Sequence, residues 1–210
     1  MPDLTLYNYD LDESCYKARL LLSFLGLDCK IVAVDVFPGR EQTTPPFLAL
    51  NPLGRLPILT DGDFVLTGTE AILAHLARAH DPSERWLPME GEAFARVMSW
   101  LTFSARDLDV TITARQRSLF GPPGDETSLV AASRRLLRIM DEHLLARGYT
   151  GEEWFAAPHP TIADIALFPA FALSRDVGID HDEYPALRRW SRRFRGLSGF
   201  RVMPGIPEYF

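Results

Sequence analysis

Residues 51–73 read NPLGRLPILTDGDFVLTGTEAIL, and each piece of this stretch has a physical job. Gly54-Arg55 suits a turn, and Pro57 stands between Leu56 and Ile58, two apolar residues that suit a strand. Asp61-Gly62-Asp63 is a hairpin turn, which predicts strands over Leu56–Thr60 and Phe64–Thr67. Thr69-Glu70 then opens a predicted helix over Thr69–His80, with Ile72, Leu73, Leu76 and Ala77 on one face. Together these pieces form a backbone-lined slot facing a helix N-terminus, where free N–H groups and the helix dipole favour negative charge. A small anionic peptide suits such a slot.

On the N-terminal side, Leu4–Tyr9 alternates as a strand does. Ser14–Leu25 carries Ala18, Leu21, Leu22 and Leu25 at helical spacing before the stop at Gly26. Cys29–Val36 is rich in β-branched residues and reads as a strand. A loop with Pro38-Gly39 and Pro45-Pro46 follows, then a short helix near Phe47–Leu50. The order β-α-β-(α)-β-β-α predicts a mixed sheet with helices on both sides. Residues 80–92, HDPSERWLPMEGE, are polar with two prolines and read as a linker. Beyond them strand signals almost vanish. Long helical patterns span Ala93–Ala114 and Leu129–Leu145, with a Gly-Pro-Pro-Gly turn at 121–124 between them. Thr161 and Asp164 resemble a capping box ahead of an apolar helix. Pro185–Arg195 is a last helix with Leu187, Trp190 and Phe194 inward. The predicted division is an α/β domain over 1–80, a linker over 81–92 and an all-helical domain over 93–210.

The 210-residue chain is 47% hydrophobic with a formal net charge of −6, enough to bury a sizeable core and unfavourable for electrostatic capture of nucleic acid. The arginines at 188, 189, 192 and 193 around Trp190 are explained by an amphipathic helix. No run reaches the roughly 18 apolar residues of a membrane span, and MPDLTLYNYD has neither the charge nor the apolar core of a secretory signal. Two cysteines, Cys15 and Cys29, suggest no disulfide framework and fit a reducing cytoplasm. The five histidines are scattered, and no metal is expected.

Taken in order, NPLGRLP at 51–57, DGD at 61–63, AILAHLA at 71–77, PTIADIALFP at 160–169 and YPALRRW at 184–190 resemble the soluble glutathione S-transferase superfamily. The resemblance spans essentially the whole chain, and the first domain is similar to theta-like members. It implies a thioredoxin-like glutathione-binding domain followed by a helical domain. The implied protein is a cytosolic, homodimeric transferase that uses glutathione as cosubstrate and attacks a small hydrophobic electrophile. Glutathione-dependent disulfide or peroxide reduction, or binding without catalysis, are the alternatives on the same fold.

The resemblance also assigns roles. It implies a cis peptide between Leu56 and Pro57, with the Leu56 backbone pairing the cysteinyl unit of glutathione. Thr69 would take the γ-glutamyl carboxylate, or serve simply as a cap. Arg55 and Gln42 would reach the glycyl carboxylate. The acid or amide that relatives carry before Thr69 is Gly68 here, and Glu70 is shifted by one position and expected to point elsewhere. Asp107 and Asp109 are candidates to replace it, each with a solvated helix face as its ordinary role. The turn at 9–16 departs most. The hydroxyl or thiol position of serine- and cysteine-type relatives falls on Asp12 or Glu13, and a carboxylate there opposes a thiolate. Ser14 ranks first as the catalytic replacement, then Tyr7, then Cys15. Their ordinary roles would be a helix cap, a packed strand residue and a small buried hydrophobe. Phe103, Arg106 and Tyr209-Phe210 are expected to line the electrophile site.

Overall fold

The computed structural model describes residues 3–121 and 127–206. The turn expected at 121–124 is therefore described only at Gly121, and Tyr209-Phe210 lie outside the described residues. Four short strands form one mixed sheet: β1 (Leu4–Asn8), β2 (Lys30–Ala33), β3 (Ile58–Asp61) and β4 (Phe64–Thr67), in the order β2-β1-β3-β4. β1 runs parallel to β2 and antiparallel to β3, and β3 and β4 are the expected hairpin. The α-helices are α1 (Glu13–Leu25), α2 (Pro45–Leu50), α3 (Thr69–His80), α4 (Gly91–Arg106), α5 (Asp109–Phe120), α6 (Thr127–Gly148), α7 (Ile162–Ala172) and α8 (Pro185–Arg195). This is the expected thioredoxin-like sheet unit followed by helices.

Two strands are shorter than the sequence suggests, because a strand lasts only as long as its partner. Ala33 pairs with Asn8 at the end of β1, so Val34 adds one bond to the Asn8 carbonyl (2.8 Å) and Val36 finds no ladder. At the other end, β3 first pairs at Ile58 with Tyr7, leaving Leu56 and Pro57 ahead of the ladder. Alternation along β1 sets the two faces of the sheet. Leu4 and Leu6, with Leu59, pack against Leu20 and Leu21 of α1 and Ile72, Leu73 and Leu76 of α3. The opposite face holds a smaller cluster of Val34, Phe47 and Ile58, with Tyr7 and Leu56 at its edge. α1 ends at Gly26, whose φ of 63° and N–H bonds to Leu22 and Ser23 carbonyls are those of a left-handed cap.

The helical pattern at 93–114 is two helices. Phe103 O accepts from both Asp107 N (2.9 Å) and Leu108 N (3.1 Å), and the chain turns there to bury Leu108. α7 is buried on every side, as an apolar helix without a polar face must be. Its start is the predicted capping box, with Asp164 accepting from the Thr161 amide and Thr161 accepting from Ala163. α8 buries Leu187, Trp190 and Phe194. Two of its arginines pair outward, Arg188 with Asp182 and Arg193 with Glu153, on the face opposite the buried Leu187, Trp190 and Phe194. No helix of the described residues is long and apolar enough to cross a membrane.

Candidate functional site

A cleft of about 760 Å³ opens where the N-terminal ends of α1 and α3 face the helices α4 and α5. One wall is the 51–57 stretch, shaped by the buried Asn51. Its side-chain amide donates to Arg55 O (2.7 Å), its Oδ1 accepts from Leu53 N (3.1 Å), and its carbonyl accepts from Gly54 N (2.9 Å). Gly54 sits at φ 61°, and a Cβ there would meet the Gln42 carbonyl at 3.1 Å, so this turn needs glycine. Leu56–Pro57 is a cis peptide bond, as the resemblance implied.

Gln42, Arg55, Leu56, Pro57, Thr69 and Ser14 all line this one cleft. Gln42 Oε1 is buried without a hydrogen-bond partner, and Arg55 is exposed, with no carboxylate paired to it among the described residues. Gly68 caps α3 at φ 89°, a conformation that an L side chain rarely adopts, and Thr69 is the first helical residue and is buried. Ser14 stands in the first turn of α1, half-buried.

Most of the remaining candidates lie elsewhere. Tyr7 belongs to the small cluster on the sheet face with Val34 and Ile58 and does not line the cleft. Cys15 is fully buried beside Tyr9 N and Tyr7 O and does not line the cleft, and burial pushes its thiol well above the ordinary range. Phe103 packs edge-on against Trp100, and Arg106 is an exposed partner of Asp107 at 2.9 Å. Neither lines the cleft; Ser104 and Ala105, on the neighbouring helical face, do so with Asp109, Ile112, Thr113 and Gln116 of α5. Asp109 thus reaches the cleft, whereas Asp107 is held by Arg106.

Glu70 was expected to point away and instead lines the cleft. Its Oε1 lies 3.4 Å from Lys17 Nζ, and Ser104 Oγ accepts from Lys17 (2.9 Å) while lying 3.1 Å from Glu70. Lys17 is buried, so this network ties α1, α3 and α4 together on the cleft floor. The sequence did contain the signal: Lys17 stands three and four residues before Leu20 and Leu21, on the apolar stripe of α1, where an unpaired lysine is rare.

The turn before α1 holds two carboxylates with different partners. Asp12 caps the helix, accepting from Cys15 N at 2.7 Å, and also lines the cleft. Burial raises its pKa, opposed by the bonds from Cys15 and Ser14. Glu13 turns inward to Arg115 (3.3 Å), which also holds Asp176 at 2.7 Å and Leu11 O at 3.1 Å. Burial lifts the Glu13 pKa to about 7 against the pull of Arg115.

Comparison with known proteins gives the same reading. Residues 2–78 match the family model "Glutathione S-transferase, N-terminal domain", and residues 112–193 match "Glutathione S-transferase, C-terminal domain". Glutathione S-transferase 1 of Dianthus caryophyllus is 39% identical over 206 residues, covering 95% of this chain and 90% of that protein. The crystal structure of a glutathione S-transferase from Pseudomonas fluorescens superposes with a TM-score of 0.86 at 28% identity, covering 96% of this chain and 98% of that one. A glutathione transferase homolog from Lodderomyces elongisporus, solved with two glutathione molecules per subunit, gives a TM-score of 0.86 at 24% identity, covering 95% and 96%. With both halves matched in order and a relative this similar over nearly its full length, the chain belongs to the glutathione S-transferase superfamily.

Proposed function

We propose that this protein is a glutathione transferase that holds glutathione in the cleft and presents its thiolate to a small electrophile. The observation that carries this is convergence: Leu56, Thr69, Gln42 and Arg55, separated by up to 27 positions in the sequence, meet in one cleft with Ser14. In this reading the Leu56 backbone pairs the cysteinyl unit, and the N-terminus of α3 with Thr69 receives the γ-glutamyl carboxylate. Glu70 and Asp109 are the carboxylates available to the ammonium group. Gln42 Oε1, buried without a partner, gains a peptide N–H, and Arg55 takes the glycyl carboxylate.

Ser14 donates its hydroxyl to the sulfur, with the positive end of α1 behind it. Lowering a thiol pKa by one unit takes about 1.4 kcal/mol, within reach of a charge-assisted hydrogen bond. The electrophile occupies the side formed by α4 and α5, where Ala105 and Ile112 meet its apolar part and Thr113 and Gln116 its polar groups. A homodimer in a reducing cytoplasm completes the proposal, in keeping with two free cysteines. A protein-thiol redox cycle finds no support, because Cys15 is sealed in the core.

A second reading, glutathione binding without catalysis, is favoured by Asp12, whose charged form beside the sulfur would oppose a thiolate. Calorimetric titration with glutathione, followed by the thiolate absorbance of the complex against pH, separates the two. Binding with a thiol pKa below that of free glutathione supports catalysis. Binding with an unshifted pKa supports the second reading, and no binding removes both.

A further inference from the structure

Outside the cleft, the fold gathers a side-chain cluster that the sequence leaves scattered. Asp61, the last residue of β3, reaches two histidines on the C-terminal half of α3. Its Oδ2 lies 3.0 Å from His75 Nε2 and 3.6 Å from His80 Nε2, and all three donor atoms fall within 4.8 Å of one another. We propose that Asp61, His75 and His80 form a binding site for a divalent transition-metal ion of the zinc type.

The donor set is one carboxylate oxygen and two imidazole nitrogens, and imidazole suits zinc, copper, iron and nickel rather than magnesium or calcium. Bonds of about 2.0–2.1 Å in a tetrahedron place ligand atoms roughly 3.3 Å apart. The two observed oxygen–nitrogen distances bracket that value, and the two imidazole nitrogens, which lie within 4.8 Å of each other, approach it by side-chain rotation when the ion enters. The ligands also come from braced elements. Asp61 is paired to both Leu4 and Phe64 in the sheet, and α3 is packed against α1 through Ile72, Leu73 and Leu76.

A simple His75–Asp61 hydrogen bond accounts for two of the three residues and fails for the third. His80 Nε2 is buried and has no hydrogen-bond partner, although it faces the same carboxylate oxygen. A buried imidazole nitrogen without a partner loses its hydration and gains nothing in return, whereas a metal ion would engage it together with the other two atoms. The side chains keep 16% to 26% of their surface exposed, which leaves the fourth position to water. None of the three lines the cleft. The ion would fasten the tip of the β3–β4 hairpin to the end of α3.

Zinc titration of the intact protein against a chromophoric chelator tests this, with cobalt(II) as a spectroscopic substitute. One equivalent of zinc should bind, and cobalt(II) should give the intense visible bands of a four-coordinate site. His80→Ala and Asp61→Asn should each weaken zinc binding by more than the roughly 10- to 100-fold that loss of an outer-shell partner costs. Glutathione binding by the same variants serves as the check that they are folded. Absence of zinc binding to the unaltered protein, a six-coordinate cobalt(II) spectrum, or zinc affinity unchanged in folded His80→Ala protein would each overturn the proposal. The cobalt(II) readout on the unaltered protein decides the matter even where a variant fails to fold.

Discussion

Asp12 Oδ1 accepts the Cys15 amide at 2.7 Å, and Asp12 also lines the cleft, so the residue that caps α1 brings a carboxylate to the end of the cleft where Ser14 stands. Cap and charge can be separated, because asparagine caps a helix about as well as aspartate does. Asp12→Asn should keep the fold while removing a like charge from beside the proposed thiolate. The pKa of bound glutathione should then fall by about one unit, raising kcat/KM up to about tenfold at pH below that pKa. Since burial raises the Asp12 pKa, the difference from the parent should open as Asp12 ionises and close again once pH exceeds the thiol pKa in both proteins. A pH profile of kcat/KM for the electrophile at saturating glutathione checks this, and parallel profiles for the two proteins would remove Asp12 from the thiol's surroundings. Asp12→Ala should in addition cost about 1 kcal/mol of stability through the lost cap.

Ser14 and Tyr7 are separated by position alone. Ser14 lines the cleft, while Tyr7 packs on the sheet face with Val34 and Ile58. Ser14→Ala should raise the bound thiol pKa and lower kcat by about tenfold or more, consistent with losing a hydrogen bond to a charged group worth about 1.5–3 kcal/mol. Tyr7→Phe should leave both quantities in place. Loss of thiolate in Tyr7→Phe, with Ser14→Ala fully active, would reverse the assignment.

What was legible in the sequence was local. The hairpin at 61–63 carries its own turn chemistry, the apolar spacing of Ile72, Leu73 and Leu76 declares α3, and Thr161 with Asp164 marks the start of α7. Properties that depend on a distant partner were not legible. β2 stops at Ala33 because β1 stops at Asn8, and nothing between residues 29 and 36 says so. The break between α4 and α5 carries no glycine or proline; it follows from burying Leu108. Phe103 and Arg106 are expected at the electrophile site, whereas Ser104, Ala105 and the first turns of α5 are what line the cleft, because the break decides which residues face it. Glu70 departs from expectation for a related reason: its direction is fixed by Lys17, 53 positions away in the chain.

Asp164 anchors three elements at once. It accepts from Thr161 N at 2.9 Å, Phe155 N at 3.2 Å and Trp190 Nε1 at 2.9 Å, all fully buried. Asp164→Ala would strand these donors, and each unsatisfied buried group costs about 1–3 kcal/mol. The expected loss is about 3–5 kcal/mol, read from the shift in urea midpoint at constant slope. Asp164→Asn keeps an acceptor for some of the three and should fall between the parent and the alanine variant. A loss under about 1 kcal/mol in Asp164→Ala would mean that water replaces the carboxylate there.

Glu13 and Arg115 join the start of α1 to α5 in the interior, at 3.3 Å. Glu13 has an ordinary pKa of 4.5, raised in the folded protein to about 7 by burial. Between those values the folded state holds more protons at this site than the unfolded state does. Stability from this residue is therefore fully present below pH 4.5 and is lost as pH rises through about 7. The full difference corresponds to about 3 kcal/mol. Glu13→Gln places a neutral group of the same shape beside Arg115, which retains Asp176 at 2.7 Å. The variant should lack this part of the pH dependence, so its stability relative to the parent should improve steadily across the same window. Other carboxylates titrate in both proteins and cancel in the difference. Chemical denaturation of parent and variant at a series of pH values measures it directly. Identical slopes would show that Arg115 keeps Glu13 ionised throughout, and the buried pair would then act as a fixed salt bridge between α1 and α5.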